Sequence, residues 1–287
     1  MVEDLKKAIR KCLCPKEKPL DPAYARLIIL KSYETQNGHR ILSMPQQQEL
    51  TSNRFSMWKF CILMHKILHE GYEQILIDSY ANIAQFGKLA NFWSSQTTHH
   101  LAQCIIQYCK VLQRKIIFHQ TYRHIKGNFE CDYEKDLDVN TTFQLCLDMC
   151  DYLEDLLDLQ HLIFIDLTTN QIFPDSKQGL CRLTAFTTIM TECNLMYQHL
   201  VDVLRLLHSQ LSPDYISGLS VRFNNVIFIQ LRRFYEQVRS LPLSSNYFDV
   251  PVLPTESPIV TGVYYTTPAI NRNSHEPSAP LITDLDY

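Results

Sequence analysis

Apolar residues recur along this chain at intervals of three and four, and nowhere do they alternate with polar ones over a sustained run. That period belongs to α-helices packed on one face and leaves no place for strands. At the N-terminus Val2, Leu5, Ala8, Ile9, Cys12 and Leu13 fall near helical spacing, with Lys6, Lys7, Arg10 and Lys11 on the other side. The same pattern predicts helices over 23–35, 55–70, 72–93, 97–122, 140–165, 180–210 and 214–241. Asp21-Pro22 offers an N-cap and a first-turn proline to the helix at 23–35. Gly71 ends the helix at 55–70, and Ser212 or Asp214 can cap the last. The acidic stretch 125–138 reads as a loop, and Leu167–Gly179 as a connector holding Pro174. At least seven helices with short connections pack as a bundle or a solenoid, and the lack of a strict repeat makes the solenoid irregular. From about Pro251 the apolar pattern stops and prolines recur, which predicts an extended or disordered tail.

Composition adds detail to this all-α reading. A length of 287 residues allows one large or two small domains with a real core. Glycine occurs only 7 times, which suits long uninterrupted helices. No apolar run reaches the roughly 18–20 residues of a membrane span, and charges stand where a signal peptide has its apolar core, so a cytoplasmic protein is expected. The 10 cysteines are scattered without a Cys-x-x-Cys pair, several on apolar helical faces. They read as small buried hydrophobes in a reducing compartment.

Charge distinguishes the first eighteen residues. The chain as a whole has a net charge of −3. Its start gathers Lys6, Lys7, Arg10, Lys11, Lys16 and Lys18 against Glu3, Asp4 and Glu17. A local basic cluster on an acidic protein points to a localised anionic partner, and a phosphoinositide-bearing membrane fits. The plainer alternative is a solvated basic N-terminus.

Several short runs, in order, resemble one family. They are Trp58-Lys59-Phe60-Cys61 with His65-Lys66 and Gly71, Phe143-Gln144-Leu145 with Asp151-Tyr152-Leu153-Glu154, Gly179-x-Cys181-Arg182-Leu183, Leu206-Leu207-His208-Ser209, Arg222-Phe223, Phe234-Tyr235 and Pro251-x-Leu253-Pro254. Together they resemble the ANTH domain of the Huntingtin-interacting protein 1 family over roughly residues 3 to 254. The resemblance implies an irregular right-handed helical solenoid of about 7–10 helices (residues 1–254) followed by a Pro-rich tail (255–287). It implies a non-enzymatic, cofactor-free adaptor that binds phosphoinositides in clathrin-mediated endocytosis. That adaptor would be peripheral at the plasma membrane and endocytic vesicles, and linked to the clathrin coat and actin machinery through other proteins. Longer members add a coiled coil and an actin-binding module. No heptads follow residue 254 here, so the membrane-binding head alone is expected.

The family's lipid motif is a lysine in the first helix and a Pro-Lys-x-Lys-His-like turn. Lys7-Ala8-Ile9 and Pro15-Lys16-Glu17-Lys18 match it, while Pro19 stands where the histidine is expected and Leu20–Tyr24 looks inserted. With the insertion placed earlier, Tyr24 replaces the histidine and Ala23 its lysine. The resulting candidate set is Lys7, Lys11, Lys16 and Lys18, with Lys6, Arg10 and Tyr24. Lys7 and Lys11 lie one turn apart and can share a ligand, and each ammonium is a compact charge on a flexible stem. The altered turn favours a rival reading, a helical protein-interaction scaffold that has lost lipid binding.

Other chemistry is weaker. His65 and His69 have zinc-compatible i, i+4 spacing, but Lys66 stands where the zincin motif has glutamate. Cys146 and Cys150 share that spacing in an apolar stripe, and His99-His100 reads as a loop or a helix start. No nucleophile elbow, P-loop or dinucleotide fingerprint occurs. The acidic overall charge argues against nucleic acid. Lys110, Arg114, Lys115, Arg123 and Lys126 read as the solvated side of a helix, with an extension of the membrane patch as the alternative. Leu156–Gln160 resembles a clathrin-box peptide inside an apolar helix, and Leu281–Leu285 is an adaptor-like peptide in the tail.

Overall fold

The computed structural model describes residues 2–46, 50–96, 99–130, 138–243 and 247–259. The described residues form twelve α-helices and no strand. They are α1 (Val2–Cys12), α2 (Pro22–Thr35), α3 (Gly38–Gln46), α4 (Arg54–Glu70), α5 (Gln74–Asp78), α6 (Ile83–Ser94), α7 (His100–Thr121), α8 (Val139–Thr169), α9 (Lys177–Leu183), α10 (Phe186–Gln210), α11 (Pro213–Arg222) and α12 (Phe228–Arg239). Neighbours in sequence are neighbours in space: α1 packs on α2, α6 on α7, α7 on α8, and α8 on α10. That serial packing makes a layered helical solenoid.

Helix α4 is the axle. Every residue from Ser56 to His65 is buried, so the helix is enclosed on all sides rather than on one stripe. It touches α1, α2, α7 and α10. Asn53 caps it, its side-chain oxygen accepting from the Phe55 and Ser56 amides at 2.9 and 3.1 Å. Gly71 closes it in extended backbone, where a Cβ would run into the Ile67 carbonyl.

Several predicted helices are interrupted. The stretch 72–93 divides into α5, a 3₁₀ turn (Ser79–Asn82) and α6. There the Ser79 hydroxyl donates to the Leu76 carbonyl at 2.6 Å, competing with the helix ladder. The stretch 180–210 breaks into α9 and α10, with the Thr184 hydroxyl bonding back to Leu180 in the same way. Between α11 and α12 the chain passes through a π turn (Phe223–Ile227). Helix α3 was not anticipated. It opens on Gly38, which lies so close to Ile75 and Asp78 that a side chain would clash. Helix α8 runs to Thr169, beyond the expected 165. Ser212 precedes α11 without a side-chain capping bond.

The reading of the 110–126 cations as a solvated face holds for Lys110, Arg123 and Lys126, which are exposed, and fails at Lys115. Lys115 is fully buried, and its ammonium bonds Glu192 and the Gly127 carbonyl, each at 2.7 Å. Lys110 and Arg114 both reach Asp155 on α8. Glu192 also holds His65 at 2.9 Å and His69 at 2.7 Å, and Tyr152 donates to it. Both imidazoles of the i, i+4 pair thus face a carboxylate inside the molecule. Burial opposes ionisation of Glu192, but Lys115 and His65 hold its carboxyl well below the usual range.

Of the nine described cysteines, eight are buried and all are free thiols. Leu156, Leu157 and Leu159 lie in the core. The acidic segment 131–137 and the peptide Leu281–Leu285 fall outside the described residues. The chain from 247 to 259 is extended yet packed: Phe248 meets Phe186, Ile259 is buried, and the Asn224 side chain on the π turn donates to the Ile259 carbonyl at 2.9 Å.

Candidate functional site

Helix α1 lies on the body through Leu5, Ala8, Ile9 and Cys12, all buried. With that face fixed, the 3.6 period turns the cations outward. Lys6, Lys7, Arg10 and Lys11 are all exposed. They form two adjacent ridges, Lys6 with Arg10 and Lys7 with Lys11, each spaced one turn. Acidic Glu3 and Asp4 sit in the first turn and basic Arg10 and Lys11 in the last, which suits the helix dipole.

The turn that follows is anchored from beneath. Leu13 and Leu20 are buried at its two ends. Asp21 caps α2, accepting from the Ala23 amide at 3.1 Å and the Tyr24 amide at 3.4 Å. Between these points Lys59 rises from α4, wholly buried, and donates to the carbonyls of Cys14 and, at 2.8 Å, Lys16. Glu17 is drawn inward to Arg182, which also binds Asp166 at 2.8 Å. This removes one of the three anions from the outer surface. Lys16 and Lys18 remain exposed at the crest of the turn.

Of the candidate set, only Arg10 has a carboxylate partner within ion-pair distance among the described residues: Glu3, at 3.3 Å. Both side chains are well exposed, so the pair is worth little. Lys6, Lys7, Lys11, Lys16 and Lys18 have no such partner among the described residues. Tyr24 is half-buried and packs on the core, and Pro19 is half-buried beside Lys18. The structure therefore gathers six cations on α1 and the α1–α2 turn, with Tyr24 at the start of α2.

The two residues that shape the turn, Lys59 and Arg182, had no assigned role. The signal was present for Lys59: a cation within FSMWKFCILM must find partners once that helix is buried. Arg182 shows no comparable local sign, because its carboxylate partners are 16 and 165 residues away.

Known proteins carry the same architecture. The ANTH domain family model matches residues 4–261. "Huntington interacting protein related 1" of Caenorhabditis elegans is 29% identical over 258 residues, covering 88% of this chain and 27% of that protein. Human "Huntingtin-interacting protein 1" is 28% identical over 256 residues, covering 88% of this chain and 24% of its own. The chain thus spans about a quarter of the length of these relatives. Among solved structures, the ENTH domain of epsin-2 in complex with phosphatidylinositol 4,5-bisphosphate aligns with a TM-score of 0.78 at 21% identity, covering 88% of this chain and 97% of that one. A chain of the endocytic adaptor complex AENTH aligns with a TM-score of 0.69, also at 21% identity, covering 83% and 94%. Its helical solenoid, and a family match over nearly its whole length, show that this chain belongs to the ANTH domain family.

Proposed function

We propose that this chain is a non-enzymatic adaptor domain that docks on phosphoinositide-bearing membrane at the inner face of the plasma membrane and on endocytic vesicles. Lys7, Lys11, Lys16 and Lys18 hold the phosphorylated headgroup, with Lys6 and Arg10 on the neighbouring ridge and Tyr24 at the rim. The observation that carries the reading is the anchored turn. Buried Lys59 and the Glu17–Arg182 pair fix its backbone while Lys16 and Lys18 face solvent without carboxylate partners among the described residues. A Schizosaccharomyces pombe relative named "Endocytosis protein end4", 23% identical over 261 residues, and a fold neighbour solved with phosphatidylinositol 4,5-bisphosphate, support it. Links to the clathrin coat and actin machinery then run through other proteins.

Each surface lysine near an anionic leaflet contributes about 1 kcal/mol at low salt. The cluster gives a modest, salt-sensitive affinity, and stable recruitment takes a second contact. Sedimentation with vesicles containing or lacking phosphatidylinositol 4,5-bisphosphate, at low and high salt, tests the reading. The wild type should pellet with the phosphoinositide vesicles at low salt, and Lys7→Glu/Lys16→Glu/Lys18→Glu should remain in the supernatant. Equal behaviour of both proteins on both vesicles would overturn lipid docking in favour of a protein-interaction scaffold.

A further inference from the structure

Lys59 is a fully buried ammonium with no carboxylate within ion-pair distance among the described residues. A buried cation normally has an anionic partner, because two carbonyl dipoles replace only part of its hydration. The remaining contact of its Nζ is the Cys14 sulfur, 3.1 Å away. Cys14 is also the one cysteine among the nine described that is not buried. The pair therefore joins a solvent-reachable sulfur to an amine held in place by the core helix.

We infer that Cys14 and Lys59 form an oxidative modification site, at which a peroxide converts the thiolate to a sulfenic acid that then condenses with the lysine nitrogen into a sulfenamide cross-link. In the first step the sulfur attacks one peroxide oxygen. The S–O bond forms, the O–O bond breaks, and the other oxygen leaves as water after taking up a proton. Sulfur loses two electrons and the peroxide gains them. In the second step Lys59, having released one proton to solvent, attacks the sulfur. The S–N bond forms, the S–O bond breaks, and hydroxide departs as water with a second amine proton. No further oxidant is needed.

The local electrostatics suit the first step. Burial raises the Cys14 thiol, but the hydrogen bond and charge of Lys59 outweigh it, and the net direction is down. Its neighbour Cys12 is pushed by burial up to about 12. The product removes a positive charge from beneath the Lys16–Lys18 turn and replaces the ammonium that bonds the Cys14 and Lys16 carbonyls.

The test exposes the full chain to hydrogen peroxide, blocks remaining thiols under denaturing conditions, and maps tryptic peptides by mass. The expected product joins the Cys14 and Lys59 peptides, lacks cleavage after Lys59, weighs less than their sum by a pair of hydrogens, and separates on treatment with a thiol. Cys14→Ser should abolish it and Cys12→Ser should retain it. In Lys59→Arg, dimedone should label Cys14, since the guanidinium cannot complete the second step. The inference is overturned if wild-type Cys14 stays reduced. It is equally overturned if Cys14 ends as a disulfide with Cys12 or as a sulfinic acid, with no Lys59 adduct.

Discussion

Single lysines at the turn have different jobs although their side chains are alike. Lys16 and Lys18 face solvent, whereas Lys59 is enclosed and spends its donors on the backbone that carries them. Lys16→Ala or Lys18→Ala should weaken vesicle binding about fivefold each at low salt, following the ~1 kcal/mol per surface lysine, and leave the melting temperature unchanged. Titration against phosphatidylinositol 4,5-bisphosphate vesicles and a thermal melt on the same samples check this. Lys59→Met should act through the fold instead. It strips the Cys14 carbonyl of its donor and leaves the Lys16 carbonyl only the Lys18 amide, at a cost of about 1–3 kcal/mol in folding stability, and lowers binding without touching an exposed charge.

At the scale of elements, the α1–α2 turn is held by contacts distant in sequence. Arg182 and Asp166 are both almost wholly buried, at 5% and 1% side-chain exposure, so Arg182→Ala leaves an uncompensated carboxylate in the interior. A loss of about 3–5 kcal/mol in urea unfolding is expected. The released Glu17 then competes for Lys16 and Lys18. Ile259, beside the π turn, is buried, and Ile259→Ala should cost about 2–5 kcal/mol in the same measurement.

These examples show what could be read from the chain. Helices such as α4 and α7 were legible because three- and four-residue spacing persists for many turns, and the outward cations of α1 because the opposite face is cleanly apolar. The breaks at Ser79 and Thr184 were not. They come from hydroxyls that bond their own preceding turn, and the same residues sit quietly in many helices. The role of Lys115 was hidden for another reason. Its partner Glu192 lies 77 residues on, and nothing in periodicity marks that encounter.

For the whole molecule, the polar cluster in the core sets the response to acid. Burial, reinforced by the nearby charge of Lys115, lowers His119 to about 3 from its ordinary 6.5. Folded His119 therefore stays neutral down to about pH 3, while the unfolded imidazole takes up a proton near 6.5. Stability should be full above pH 6.5 and fall as pH drops toward 3, by up to about 1.4 kcal/mol per pH unit from this group. His65, also lowered by burial, acts in the same direction, so His119→Gln should lessen the slope of that limb in denaturant midpoints measured across the range, and an unchanged slope would show that His119 does not contribute to it. Glu192 acts in the same direction at lower pH. Its carboxylate stabilises the fold above the ordinary glutamate range, and that contribution vanishes as acid reaches its depressed folded value.

The lysine crest hangs from α4, a helix enclosed on all sides among the described residues, so its order is tied to that of the core. Heating should leave vesicle recognition intact until the interior itself gives way, and both should then fail together at one temperature. Conversely, if the crest holds a headgroup as proposed, the bound lipid should stabilise the fold to which the crest is tied, raising the melting point of regions remote from the membrane.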